Sequence, residues 1–420
     1  MLPATAGDTQ PTLSGSSFER NGWEPEEQVT DNRSDNDLRM GNGHRIVVDG
    51  DGLRHLVWAG HYKRYYPGSG WTTDLEVRNS RFPAIALDPD GRTIHVVWQG
   101  SAGMGALPTE HVFYQKCVPD ASGNGGWVGA PRDLTPEGHN CRVPSIACFR
   151  DVNGVDHVVV AWDVWGCDSV GFCECVAGVW GNPLFLAGPG NGELAWYASI
   201  AADPRARLGD VFISYAPTGG SPFGERVYVF RRQKGVWQPR ELAMPDTVDA
   251  SYMSSCIEVD PCTGCPHVVS YAKEGHFPHE VYQICHTCRD LELGWLPVET
   301  ISNQFHSSGW PPHPNMIVTG GSVHVVWPEN SSGVCGIRCS AGQYGNWGMP
   351  AWVTSDHIGN NPDVAAVTTG GIYVVWQDGR LGTDQIWGRL HRAGCPGGLA
   401  AGPAGFLLTH EPMFELGIVV

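Results

Sequence analysis

Lysine is nearly missing from this chain. Four lysines (Lys63, Lys116, Lys234 and Lys273) accompany 23 arginines, and 44 acidic residues bring the formal net charge to −17. A protein that grips a phosphate backbone needs the opposite balance, so general nucleic-acid binding is excluded. A surface of this sign is also repelled by anionic membranes. No run of about 18 apolar residues occurs, which excludes a transmembrane helix. No P-loop, strand-following G-x-G-x-x-G, G-x-S-x-G or HExxH motif is found, so nucleotide, serine-hydrolase and zincin chemistry have no sequence support. Met1 to Ser17 has neither a basic n-region nor an apolar h-region. The segment reads as a mobile tail, with an export signal absent, trimmed or replaced by another route. What is plentiful is apolar, turn-forming and aromatic: 41 % hydrophobic residues, 55 Gly, 31 Pro and 17 Trp. That composition can bury a sizeable core. The 14 cysteines, an even count, fit an oxidising compartment. They predict disulfides and a secreted or cell-surface protein.

One phrase recurs: an apolar strand, an Asp/Gly turn, and a strand ending in an aromatic. It runs from Ile46 to Trp58 and from Ile85 to Trp98, and returns as Ile146/Trp162, Ile200/Tyr215, Ile257/Tyr271, Met316/Trp327 and Val364/Trp376. A third strand follows, as in His111 to Gln115 and Gln385 to Arg389. A fourth element opens on Trp23, Trp71, Trp127, Trp180, Trp237, Trp295 and Trp347, at intervals of 48 to 58 residues. Four short strands at such a period are the signature of propeller blades, and their β-branched and aromatic composition suits antiparallel meanders. The prediction is an all-β fold: a seven-bladed β-propeller of four-stranded antiparallel blades over 21–392, with a tail at 1–20 and an extension at 393–420. The first Trp strand has no inner strand before it and the last unit lacks a Trp strand. The N-terminal strand therefore closes the ring, which removes an open sheet edge.

The patterns Trp-x6-Thr, Pro-x-Ile-Ala-x-Asp and His-Val-Val-Trp, the last extended in the seventh unit to Trp376-Gln-Asp-Gly-Arg380, resemble those of the sialidase-like, BNR-type propellers. The resemblance covers roughly 20–392 and implies the fold. The Ser-x-Asp-x-Gly-x-Thr-Trp box of those families is missing; the nearest turn is Asp88-Pro-Asp-Gly-Arg-Thr93. The arginine triad of a sialidase does not map onto this chain. Seven blades also resemble propeller polysaccharide lyases of acidic glycans and propeller lectins. What the resemblance implies is carbohydrate recognition or processing.

In a propeller the loops on one face meet around the central channel, and that concave mouth is the expected site. Counting back four residues from each blade's inner apolar anchor, or three from Met316 in the sixth, gives Asn42, Arg81, Arg142, Trp196, Met253, His313 and Asn360, with His44, Arg45, Tyr197, Tyr252 and Asn361 as neighbours. Arginine forks bind carboxylates and aromatic faces stack on sugar rings, so Arg45, Arg81, Arg142, Trp196 and Asn360 are the expected binding residues for an acidic glycan. Tyr197, Tyr252 and His313 are the expected proton-transfer groups of a lyase. A hydrolase needs two carboxylates, and Asp163, Glu193, Asp249, Glu329 and Asp378 are the mouth-side candidates. The alternative is a non-catalytic scaffold presenting loops to a protein partner. Whether the protein is an enzyme stays open at this stage. The aromatic ending each second strand, and the repeated His55, His95 and His324, recur with the blade and so read as structural.

Cys262-Thr-Gly-Cys265 and Cys285-His-Thr-Cys288 have zinc-ribbon spacing. If both pairs sit in turns of the fifth blade, they either hold a structural zinc or form disulfides. No cofactor is otherwise required. Asp/Gly turns such as Asp49 to Gly52 are compatible with calcium but are explained by turn geometry.

Overall fold

The computed structural model describes residues 22–392 except 32–36, 39–40, 78–79, 103–108, 119–125, 137, 168, 188–193, 206–209, 219–225, 246–250, 276–279, 291, 307–310, 332–333, 355–358 and 369. The tail and the C-terminal extension therefore lie outside the described residues, as do Glu193 and Asp249.

Seven antiparallel sheets follow one another along the chain. Their inner strands are Ile46–Val48, Arg81–Leu87, Cys141–Arg150, Leu194–Ala202, Ser251–Val259, Asn315–Thr319 and Gly359–Ala366. These strands contact one another around the ring, and we number the blades from 1 to 7 in that order. The second strands are Arg54–Trp58, Ile94–Ala102, Asp156–Val164, Val211–Thr218, Pro266–Glu274, Ser322–Ser331 and Ile372–Asp378. In five blades the outer strand is broken into two short pieces that both pair with the third strand. The N-terminal segment completes blade 7: Glu27 pairs with Gly388, Gln28 with Trp387, and Trp23 bridges His391. The fold predicted from the repeat, including its closure, is the fold observed.

The core lies between blades rather than within them. Seven apolar clusters each join two neighbouring sheets. The aromatic that recurs in each second strand (Trp58, Trp98, Trp162, Tyr215, Tyr271, Trp327 and Trp376) is at most 2 % exposed, and in every blade but the first the strand runs on beyond it. Sheet faces alternate with period two, so one bulky residue per blade fills each wedge. The repeated histidines tie the turn to the third strand. His55 bonds Asp49 (3.0 Å) and the Tyr62 hydroxyl (2.8 Å), and His95 bonds the Tyr114 hydroxyl (2.8 Å). They are structural, as their repetition implied.

The cysteines depart from expectation. The thirteen described cysteines are all free thiols, so the disulfide expectation gains no support. Cys285 and Cys288 lie not in a turn but within one continuous strand, Val281–Asp290. Three residues apart in a strand, their side chains leave opposite faces. Cys285 joins the cluster between blades 4 and 5, while Cys288 pairs across from His267. The two pairs do not close on a common point, and the described residues contain no group of three or more His, Cys, Asp or Glu side chains fit to hold a metal.

Candidate functional site

The inner strands of blades 2, 3, 4, 5 and 7 share a distortion near the mouth. Register breaks occur between Arg81 and Ala84, Arg142 and Ser145, Trp196 and Ser199, Met253 and Cys256, and Asn360 and Asp363. Within each break one non-glycine residue has left-handed backbone: Phe82 (φ 47°), Val143 (48°), Tyr197 (58°), Ser254 (53°) and Asn361 (49°). Such a residue costs about 1–3 kcal/mol and persists only where its surroundings hold it. A bulge re-aims the side chains beside it. Here it turns successive residues toward the channel mouth.

Polar side chains from the preceding blade hold the bulges. Asp163 accepts from the amides of Tyr197 and Ala198, both at 2.9 Å, and Gln99 accepts from Val143 at 3.2 Å. Asp163 is buried. Burial raises its pKa, the two amides and the Arg142 charge only partly oppose this, and it stands at about 7.

Above the bulges opens a cavity of about 730 Å³. Arg81, Arg142, Trp196, Tyr197, His313, Asn360 and Asn361 all line it, joined by Trp165, Gln99, Glu110, Asp163, Asp37, Gln377 and Asp384. Five blades thus converge on one space. Trp165 and Trp196 face each other at 5.4 Å between ring centroids, and the Arg142 guanidinium lies 4.1 Å over Trp165. Arg142 Nε has no hydrogen-bond partner among the described residues. Arg81 is exposed and lies 3.8 Å from Glu110. The carboxylates of the wall are engaged with protein groups: Glu110 accepts from Gln99 (2.9 Å), Asp384 from Gln377 (2.7 Å), and Asp163 from the bulge. His313 lies against Tyr197 with the ring centroids 5.4 Å apart and the planes tilted by 58°. Burial lowers its pKa, the Arg45 charge lowers it further, and it falls to about 3. The imidazole is neutral at working pH.

Two expected residues are elsewhere. Tyr252 precedes the bulge by one position more than Trp196 does, so it faces the opposite side of the sheet. It packs between blades 4 and 5, at a place equivalent to Ala195, and burial raises its pKa to about 12. Arg45 lies one layer deeper, beside the first apolar anchor, and is 3 % exposed. Met253 occupies the equivalent bulge position in blade 5, and its side chain lies outside the described residues. Glu329 is buried against the Trp327 indole and Arg338, and Asp378 against Arg380.

The deeper layer plugs the channel. Asn42 reaches across to the carbonyls of Tyr197 (2.5 Å) and Ser255 (2.7 Å). His44 stands between Asp363 (3.0 Å) and Glu258 (2.6 Å). Burial alone would lower the His44 pKa, but the two carboxylates prevail and raise it to about 10. Sequence counting missed Trp165, Gln99, Glu110 and Asp384. Gln99 lies within a second strand just past its aromatic, Trp165 follows a second strand, and Glu110 and Asp384 stand at the start of third strands, none of them at the inner-strand position from which the count was made.

Neither a family model nor a curated relative matches the chain. Among solved structures, the polysaccharide lyase Uly1 is similar at a TM-score of 0.55 and 13 % identity, over 88 % of this chain and 99 % of that one. A Hadza microbial sialidase has a TM-score of 0.45 at 8 % identity, over 81 % of this chain and 73 % of that one. AofleA from Arthrobotrys oligospora has 0.46 at 14 % identity, over 76 % and 84 %. At these identities the likeness is one of fold. With Uly1 it extends around the whole ring.

Proposed function

We propose that the mouth binds an acidic carbohydrate, as an extracytoplasmic recognition or processing module. The observation that carries this reading is Arg142, whose Nε is buried without a partner while its guanidinium lies over Trp165 in the cavity wall. A buried donor left unpaired costs about 1–3 kcal/mol, and a carboxylate ligand would satisfy it bidentately. Trp165 and Trp196 offer indole faces on which a sugar ring stacks. The fold likeness to a polysaccharide lyase agrees with this chemistry. A neutral imidazole and a phenol on one wall are the acid–base pair that elimination next to a carboxylate requires, with Arg142 neutralising the acid group.

A second reading has its own observation. Asp163, held near neutrality in the wall with Glu110, gives the cavity a carboxyl group suited to donate a proton in hydrolysis. One experiment separates these readings. Wild type, Arg142→Ala and Arg81→Ala are screened for binding to, and depolymerisation of, alginate, polygalacturonate and hyaluronate. New unsaturated ends mean elimination, new reducing ends without unsaturation mean hydrolysis, and binding alone means recognition. No binding of wild type to any of the three abandons the acidic-glycan reading in favour of a scaffold for a protein partner.

A further inference from the structure

Beneath the cavity floor, three polar side chains from different parts of the ring form a chain of hydrogen bonds: Asn42, Ser254 and His313. Their proton positions follow from valence alone. The Asn42 amide nitrogen lies 2.5 Å from the Tyr197 carbonyl and 2.7 Å from the Ser255 carbonyl. Both of its hydrogens are thereby committed to acceptors, and the amide cannot be flipped. The Asn42 Oδ1 is then the atom 3.1 Å from Ser254 Oγ. An amide oxygen only accepts, so the single Ser254 proton is directed to Asn42. The remaining Ser254 contact is 2.5 Å to His313 Nδ1. With its proton already given, the hydroxyl has only lone pairs to offer there, and the proton in that contact sits on the imidazole. Ser254 is 1 % exposed, which leaves little room for water to alter the arrangement.

We propose that Asn42 and Ser254 are positioning residues that lock His313 as its Nδ1–H tautomer, so that the ring presents only a lone pair, at Nε2, to whatever occupies the mouth. His313 lines the cavity and Ser254 does not, so the edge bearing Nε2 is the one turned to the ligand. Tyr197 and Tyr271, at 5.4 and 6.0 Å between centroids, flank the ring and fix its plane.

The consequence is a polarity code for the ligand, and this part rests on the mouth being the glycan site. Arg142 offers donors and selects an anionic oxygen. His313 offers an acceptor and selects a hydroxyl. A sugar acid with a free hydroxyl beside its carboxylate satisfies both at once. A sulfate, carboxylate or O-acyl oxygen placed at His313 would set lone pair against lone pair. The same lone pair is what a general base needs.

The test reads the tautomer directly, without a ligand. Long-range proton–nitrogen spectra of protein labelled with ¹⁵N-histidine show each ring nitrogen as protonated or bare, and His313→Gln identifies the signals. The expected result is His313 with Nδ1 protonated, Nε2 bare and no titration between about pH 4.5 and 8. In Ser254→Ala, which removes the acceptor for Nδ1–H, the expected result is a mixture of tautomers. Binding of an oligoglucuronate would weaken by about five- to tenfold, the loss of one hydrogen bond. A wild-type ring protonated at Nε2, or titrating near neutrality, overturns the proposal. An unchanged tautomer in a folded Ser254→Ala protein overturns the positioning role. The expected tautomer with no oligoglucuronate binding would support the relay and remove only the ligand code.

Discussion

Asp163 and Asp363 perform the same task in two layers of the channel and end in opposite states. Each is a buried carboxylate capping two consecutive amides of the next blade's inner strand: Tyr197 and Ala198 for Asp163, Arg45 and Ile46 for Asp363. Burial pushes both toward the neutral acid. At Asp363 the charges of His44 and Arg45 outweigh it and hold the group below the usual carboxylate range. Asp163 has the amides and a more distant Arg142, and rises to about 7. The deeper layer therefore commits its cations to structure and stays charged. The mouth layer keeps a guanidinium unpaired and a carboxyl that titrates. A polar group matched within the protein builds the ring, whereas one left unmatched on a cavity wall is available to a ligand.

The largest effect should come from breaking the deeper layer. Asp363→Ala leaves a buried imidazolium facing Glu258 alone and strips the acceptor from three amides, those of Arg45, Ile46 and Val364. Removing one partner of a buried pair costs about 3–5 kcal/mol, measured as the shift in urea unfolding. A loss under about 1 kcal/mol would mean that the plug does not support the ring. The pH dependence carries the same signature. The His44 pKa is raised in the folded protein, so its contribution is fully present below about 6.5 and is lost as pH rises toward 10. The Asp363 pKa is depressed, so its contribution is present above about 3.8 and is lost as pH falls through its folded value. Both act together between about 4 and 6.5. Stability should fall between pH 7 and 10, and much of that slope should vanish in His44→Gln.

Breaking the mouth should do the reverse. Arg142→Ala should leave the unfolding midpoint in place, because the guanidinium supports the ring by stacking alone. It should weaken an acidic oligosaccharide by about 10- to 100-fold, the worth of a hydrogen bond to a charged group. Isothermal titration against an oligouronate checks this. A folded variant that binds as well as wild type would mean that Arg142 is not the anchor.

How much of this was legible follows from what repeats. The aromatic of each second strand and the Trp of each outer strand recur at the blade period, so fold, blade number and closure could be read off. Counting back from the inner anchors found Arg81, Arg142, Trp196, His313 and Asn360 together. Tyr252 escaped because one step along a strand reverses the face. The bulges were invisible because Phe82, Val143 and Tyr197 are not residue types that advertise a left-handed backbone. The cysteine spacing does not tell the geometry, because a C-x2-C pair gathers its thiols in a turn and separates them in a strand, where Cys285 and Cys288 lie. The Asn42–Ser254–His313 chain joins blades far apart in sequence, and no local pattern announces such a contact.

The smallest expected effect is the one that distinguishes the two aspartates most sharply. Asp163→Asn keeps the side-chain shape and one of the two acceptors that hold the bulge while removing the titration. In wild type, an acidic ligand should bind more tightly as pH falls through about 7, because Asp163 takes up a proton and ceases to oppose the anion. At an effective interior dielectric near 20, a charge roughly 10 Å away is worth about 1–2 kcal/mol before screening by water in the cavity. The gain should therefore be about three- to tenfold, and the profile of Asp163→Asn should be flat and level with the low-pH wild type. Asp363→Asn, by contrast, should not create a flat profile, because Asp363 is already ionised throughout this range and its charge is answered by His44. If both variants flatten the profile, or neither does, the two carboxylates are not divided between ligand and ring.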